Sequence, residues 1–244
     1  MVNNVISNAD ILLVVLDSRM AQETRNVEIE TKVAASGKPL IYVLNKCDLV
    51  DKHILEQYKR VIPNSVFISA KFHLGTIKLR EKILMTASRL DLVSKVRVGV
   101  LGYPNVGKSS LINALKGKSA TKTSSVSGFT KHIQKVRTSK IILLDTPGVI
   151  PYKENDRLKH NIIGTLDHNK EKNPDIVAVN LMETFPGVIE KYYNVYITDD
   201  KELTLENIAI KRNMVIKGSK PDIKRAAKMI MNDWQTGKIT NKKY

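Results

Sequence analysis

Two short segments carry residue types suited to holding phosphate. Gly102–Ser110 reads GYPNVGKSS and fits the spacing G-x-x-x-x-G-K-[ST]. Gly102 and Gly107 let the backbone turn tightly around phosphate oxygens. The successive N–H groups from Asn105 through Val106, Gly107, Lys108, Ser109 and Ser110 then form an anion nest at a helix N-terminus. Lys108 brings a positive charge to the β and γ phosphates, and the Ser109 hydroxyl is a hard oxygen ligand for Mg²⁺. Further on, Asp145–Gly148 reads DTPG. Asp145 suits the carboxylate that holds magnesium through water, and Gly148 can bring its N–H to the γ-phosphate. Between the two segments, Thr130 is the leading second hydroxyl ligand of the magnesium, ahead of Thr123 and Thr121.

A third segment suits a purine base. Asn45–Asp48 reads NKCD, and Ser69–Lys71 reads SAK. Asp48 can accept two hydrogen bonds from N1–H and the exocyclic amine of guanine. Adenine offers neither donor there, so a buried carboxylate left unpaired rejects it. Asn45 can tie this loop to the phosphate loop. The stem of Lys46 can cover a base face, the Ala70 N–H can donate to guanine O6, and Ser69 and Lys71 complete the loop. Cys47 reads as a small apolar filler. The five histidines have no metal-ligand spacing, and Trp234 reads as core.

Strands and helices must alternate to place these loops. Ile11–Asp17 and Leu40–Leu44 are apolar runs of the kind buried on both faces of a parallel sheet. Further strands are expected over Ser65–Ile68, Val96–Leu101, Lys131–Arg137 and Lys140–Leu144. Helices are expected over Gln22–Ser36, Asp51–Val61, Gly75–Leu90 and from Lys108 to Leu115. The alternation implies an α/β fold, a doubly wound and mostly parallel sheet over residues 1–150. Residues 151–244 read as a small, mostly helical second domain.

Charge narrows the partners. The 244 residues hold 40 Lys+Arg against 24 Asp+Glu, a net charge of +16. The stretch Lys116–Lys140 carries seven basic residues and no acidic one, and Lys211, Arg212, Lys217, Lys220, Lys224, Arg225 and Lys228 cluster near the end. Both suit phosphate backbones. The single cysteine suits a reducing, cytoplasmic setting. No apolar run approaches the roughly 20 residues that span a membrane, and the first residues do not read as a secretory leader.

The base-reading segment precedes the phosphate segment, the reverse of the usual order in GTP-binding domains. NKCD, SAK, GYPNVGKSS, the Thr130 loop and DTPG, in this order, resemble the circularly permuted GTPases of the YlqF/RbgA type. LDSRM (Leu16–Met20) with TRN (Thr24–Asn26) is similar to that family's D-A-R-x-P…R-N segment, with Met20 and Ala21 departing from its proline. Ile208–Thr240 is similar to its C-terminal domain, with Ser219 where a second glycine is common. The chain starts close to the first strand, so the histidine proposed to assist hydrolysis in some members' N-terminal extension is not expected.

The resemblance implies a permuted P-loop GTPase domain with a helical tail, acting in assembly of the large ribosomal subunit. It implies GTP and GDP as ligands, large-subunit rRNA and a pre-ribosomal particle as partners, Mg²⁺ as cofactor, and no membrane; a monomer is expected. Val149 stands where Ras-like enzymes place a water-orienting glutamine, so intrinsic hydrolysis is expected to be slow. Asn105 resembles the asparagine that helps bind K⁺ in potassium-dependent GTPases. Lys108, Thr130, Gly148 and Asn105 are then the catalytic candidates, with K⁺ and ribosomal particles as activators. The DTPG loop leads directly into the tail, which couples nucleotide state to rRNA binding. Two alternatives stay open: a K⁺-dependent GTPase of another RNA process, and an RNA-binding GTP sensor with negligible turnover.

Overall fold

The computed structural model describes residues 2–92, 95–116, 134–137 (backbone), 140–146, 171–240 and 242. The chain divides into two compact units, Met1–Glu154 and Asn155–Tyr244.

The first unit is built on a six-stranded sheet. Its strands are β1 (Ile11–Asp17), β2 (Leu40–Asn45), β3 (Ser65–Phe67), β4 (Val96–Leu101), β5 (Gln134–Arg137) and β6 (Ile141–Asp145), in the spatial order β3-β2-β1-β4-β6-β5. Five run parallel, and β5 closes the edge antiparallel to β6. This is the mostly parallel α/β sheet the alternation predicts. All seven residues of β1 are buried, as a central strand between two parallel neighbours requires. The strand order reverses direction between β1 and β4. Crevices outside the carboxyl ends at such a switch are where α/β sheets bind ligands.

Helices α2 (Val27–Ala35), α3 (Lys52–Val61), α4 (Thr76–Ser88) and α5 (Lys108–Lys116) connect the strands. Helix α2 begins five residues later than the sequence suggests. Gln22–Thr24 are held in a turn, where the Thr24 hydroxyl donates to the Met20 carbonyl at 2.7 Å. Asn26 then caps the helix by accepting the Ile29 N–H at 3.0 Å. A further helix, α1 (Val2–Asn8), precedes β1 and was not expected. It lies against β4 at Gly99, where an added Cβ would come within 2.8 Å of both Val5 and Leu12. The Lys38 ammonium closes its end, donating to the carbonyls of Ile6, Ser7 and Ala9 at 2.6–2.8 Å.

Among the described residues, the second unit is helical apart from one small hairpin. It contains α6 (Pro174–Thr184), α7 (Val188–Tyr193), α8 (Lys201–Lys211), β7 (Val215–Ile216), β8 (Lys220–Pro221) and α9 (Ile223–Gln235). Helix α9 packs against α6 and α8 through Ala226, Ala227, Ile230 and Trp234, all buried. Trp234 is core, as expected, with its ring 4.5 Å from that of Phe185. The Tyr193 hydroxyl donates to Asp233 at 2.9 Å, and Lys238 pairs with the other carboxylate oxygen at 2.8 Å.

Candidate functional site

Strands β4 and β6 set the phosphate side. β4 ends at Leu101, and the Gly-rich loop carries the chain into α5 at Lys108. Gly102 takes φ 142°, and a Cβ there would lie 2.5 Å from the Val15 carbonyl oxygen of β1. Gly107 takes φ 95°, and its Cβ would collide with the Asn45 amide. Both positions therefore demand glycine for conformation and for space. Asn105 also takes positive φ, 60°, which asparagine tolerates.

Lys108 is buried and donates to the carbonyls of Gly102 and Tyr103 at 3.1 and 2.6 Å. Burial pushes its ammonium down to about 8, against the pull of Asp145. Asp145 ends β6 directly beside β4, in register with Val100, and is buried. Thr146, which sequence reasoning did not single out, fastens the start of DTPG by donating to the Val100 carbonyl at 2.7 Å. Ser109 and Ser110 are exposed at the start of α5. A serine hydroxyl and a carboxylate are hard oxygen donors, and this pair fits Mg²⁺. Thr121, Thr123, Thr130, Gly148 and Val149 lie outside the described residues.

Strands β1 and β2 set the base side. Asn45 ends β2, is buried, and uses both ends of its amide. Its Nδ2 donates to the Val106 carbonyl at 2.9 Å, and its Oδ1 accepts the Ala70 N–H at 3.0 Å. One side chain thus joins NKCD, the phosphate loop and SAK. The Ala70 N–H, expected to face guanine O6, is turned to Asn45 instead. Ser69 is fully buried and accepts the Phe72 N–H at 3.3 Å, while Lys71 is exposed with its ammonium 5.3 Å from the Phe72 ring centre. Asp48 sits in a single 3-10 turn, Cys47–Leu49. Lys46 takes φ 62°, and its ammonium pairs with Asp17 at 2.8 Å. Asp17 and Arg19 were visible in the sequence only through LDSRM. An apolar strand ending in a carboxylate, with a basic residue two positions on, was the signal for a buried pair.

In the second unit the basic cluster faces solvent. Lys211, Arg212, Lys217, Lys220, Lys224 and Arg225 are exposed, and Lys228 is half-buried. Lys211 donates to the Asn194 carbonyl, and the Arg212 guanidinium lies 5.0 Å from the Tyr193 ring centre. Asp222, the acidic residue among them, caps α9 by accepting the Arg225 N–H at 3.0 Å. Among the described residues no group of three or more histidine, cysteine, aspartate or glutamate side chains could hold a metal ion, and no helix is long and apolar enough to cross a membrane.

Known proteins are similar to this chain. A family model described as RsgA GTPase matches residues 2–153, and one described as 50S ribosome-binding GTPase matches residues 97–217. An uncharacterized GTP-binding protein of Methanocaldococcus jannaschii is 44% identical over 244 residues, covering 98% of this chain and 65% of that protein. Nucleolar GTP-binding protein 2 of Neurospora crassa is 34% identical over 253 residues, covering 96% of this chain and 40% of that protein. The guanine nucleotide-binding protein-like 3 homolog of Caenorhabditis elegans is 31% identical, with coverages of 98% and 48%. The chain therefore spans less than two thirds of the length of these relatives. YlqF from T. maritima, in its GNP-bound crystal structure, superposes with a TM-score of 0.67 at 22% identity, covering 98% of this chain and 94% of that one. The GDP-bound structure gives 0.67 at 23% identity. These two likenesses show the fold.

Proposed function

The chain belongs to the circularly permuted GTPases of the YlqF/RbgA type, and from that premise we propose that it binds and hydrolyses GTP while assisting assembly of the large ribosomal subunit. One observation carries the nucleotide site: the Asn45 amide binds both Val106 of the phosphate loop and Ala70 of SAK. Three segments scattered over 66 residues of chain thereby share one crevice, with Asp48 on the base side and Lys108 on the phosphate side.

In this reading Lys108 leaves the carbonyls of Gly102 and Tyr103 to meet the β and γ phosphates, and the N–H groups of Asn105 through Ser110 bind their oxygens. Asp48 reads the guanine edge. Bound Mg²⁺, held by Ser109, Asp145 and Thr130, would neutralise charge on the phosphates. Gly148 contributes an N–H to the γ-phosphate, and Asn105 supports a K⁺ ion beside it. With Val149 in place of a polar residue, turnover is slow until K⁺ and a ribosomal particle raise it. The basic cluster of the second unit contacts rRNA, and the DTPG loop couples it to nucleotide state. The protein acts as a monomer in the cytoplasm, off the membrane.

Nucleotide binding tests the site. Asp48→Asn should exchange preference for guanine for preference for xanthine nucleotides; unchanged preference would overturn the assignment. Sedimentation with large subunits tests the partner. Binding should differ between a non-hydrolysable GTP analogue and GDP, and equal binding would remove the coupling. A second reading, a GTP sensor with negligible turnover, is favoured by Val149 alone. Single-turnover hydrolysis with particles present separates the two.

A further inference from the structure

Asp17 stands at the end of β1, directly across from Asn45 in the parallel register. Its carboxylate is buried to 1% exposure and receives four donors. The Arg19 backbone N–H and Nε reach Oδ1 at 3.0 and 3.1 Å, and the Arg19 terminal nitrogen and the Lys46 ammonium reach Oδ2 at 2.7 and 2.8 Å. Arg19 is itself buried, 6% exposed. The Asp17 backbone N–H donates to the Thr24 hydroxyl at 3.1 Å, which donates onward to Met20. Arg19 and Thr24 bind Asp17 from within the turn, and Lys46 reaches it from the NKCD loop.

Lys46 holds a left-handed backbone, φ 62°. For a long side chain that conformation is unfavourable by about 1–2 kcal/mol, so something must hold it. Asn45 anchors the loop from the residue before. The Asp17 carboxylate anchors it from Lys46 itself. Beyond Lys46 the 3-10 turn delivers Asp48. Charges alternate along the path: Arg19 positive, Asp17 negative, Lys46 positive, Asp48 negative. Removing Asp17 would leave two cations facing each other in a buried place, which is strongly unfavourable.

We propose that Asp17, oriented by Arg19, is a positioning residue for guanine recognition: it clamps Lys46 and thereby sets Asp48 against the base. The clamp rests on the assignment of NKCD as the base site. It also gives the LDSRM segment a physical role, since that segment contacts the NKCD loop.

The test compares GDP and IDP affinity of the full chain by displacement of a fluorescent GDP analogue. IDP lacks the exocyclic amine that Asp48 would read. Asp17→Asn should weaken GDP binding about tenfold or more and narrow the preference for GDP over IDP. Asp17→Asn combined with Arg19→Gln removes the facing cation. It should restore the melting temperature lost in the single variant while leaving GDP binding weak and the preference narrow. Wild-type GDP affinity and preference in a folded double variant would overturn the clamp. So would equal weakening of GDP and IDP, which is the mark of a purely structural role. Asp48→Asn separates the two levels. Should it fail to switch to xanthine nucleotides, the base site itself is wrong; should it switch while the Asp17 variants bind normally, the clamp alone is wrong.

Discussion

Buried charge is placed differently in the two units. In the first, Asp17, Arg19, Lys108 and Asp145 are buried where β1, β4 and β6 stop or just beyond, and loop groups such as the Gly102 and Tyr103 carbonyls and Lys46 are among their partners. In the second, Glu190 and Asp233 are buried within the helix packing, held by Lys201 at 2.9 Å and by Tyr193 and Lys238, while Glu171, also buried, accepts the Asn173 N–H just before α6. Of the charge buried at strand ends, Lys108 and Asp145 lie beside the Gly-rich loop, whereas Asp17 and Arg19 pair with each other and with Lys46 of the NKCD loop. Charge buried between helices ties the fold together and leaves the remaining cations to solvent. The proposed function assigns the first unit to a small molecule and the second to a surface.

Four measurements break or sharpen this division. The largest effect should come from Trp234→Ala, which empties the centre of the helical unit. It should destabilise that unit by roughly 3–5 kcal/mol, read by thermal or denaturant unfolding, with GDP affinity unchanged. A parallel loss of GDP affinity would break the division. Next, Lys108→Ala should weaken GTP binding roughly a hundredfold, since it removes a charge-assisted contact to phosphate. The nucleotide-free protein should melt no lower, because burial of that ammonium is unfavourable.

A pH series is third. Lys108 is lowered to about 8 in the folded protein, below its ordinary 10.5. The penalty for burying its charge is fully present below pH 8 and is relieved as pH rises through that value. Phosphate prefers the charged form, so GTP affinity should fall about tenfold from pH 7 to pH 9. A flat profile would place another group on the phosphates. In stability, Asp17 has the same sign of pH dependence in a lower window. Burial pushes its carboxyl up, but Arg19 and Lys46 outweigh this and hold it well below the usual range. Its contribution to stability is present above pH 3.8 and is lost only as the pH falls further. The smallest effect belongs to Ser219→Gly. Ser219 takes φ 58° in the β7–β8 turn, and glycine there should stabilise the second unit by about 0.5–1 kcal/mol.

The loops of the nucleotide site were legible because their chemistry dictates residue types at fixed spacing. Gly107 must be glycine where Asn45 presses on it, and Asn45 must be an amide to donate and accept at once. The strands were legible because burial on both faces requires continuous apolar runs, as in Ile11–Asp17. Helix α1 was missed because VNNVISN is short and mostly polar, with Val5 and Ile6 alone buried. The start of α2 was misplaced because the bonds of Thr24 to Asp17 and Met20 are tertiary information. The partner of Lys46 was missed for the same reason: β1 and β2 had to be paired in register before Asp17 could reach it. In the helical unit, composition identified a basic cluster, and Lys211, Arg212, Lys217, Lys220, Lys224 and Arg225 are exposed, but no spacing rule in the sequence says what such a surface meets.

Strand β1 lies at the heart of the sheet, yet its two neighbours are synthesised far apart in time. β2 is complete at Asn45, and β4 only at Leu101. At about 5–20 residues per second, one edge of a strand that is apolar up to its last residue, Asp17, stays open on the ribosome for roughly three to eleven seconds. An open apolar edge is a template for wrong pairing. The growing chain therefore depends, during that interval, on whatever shields the β1 edge until the phosphate-loop strand arrives.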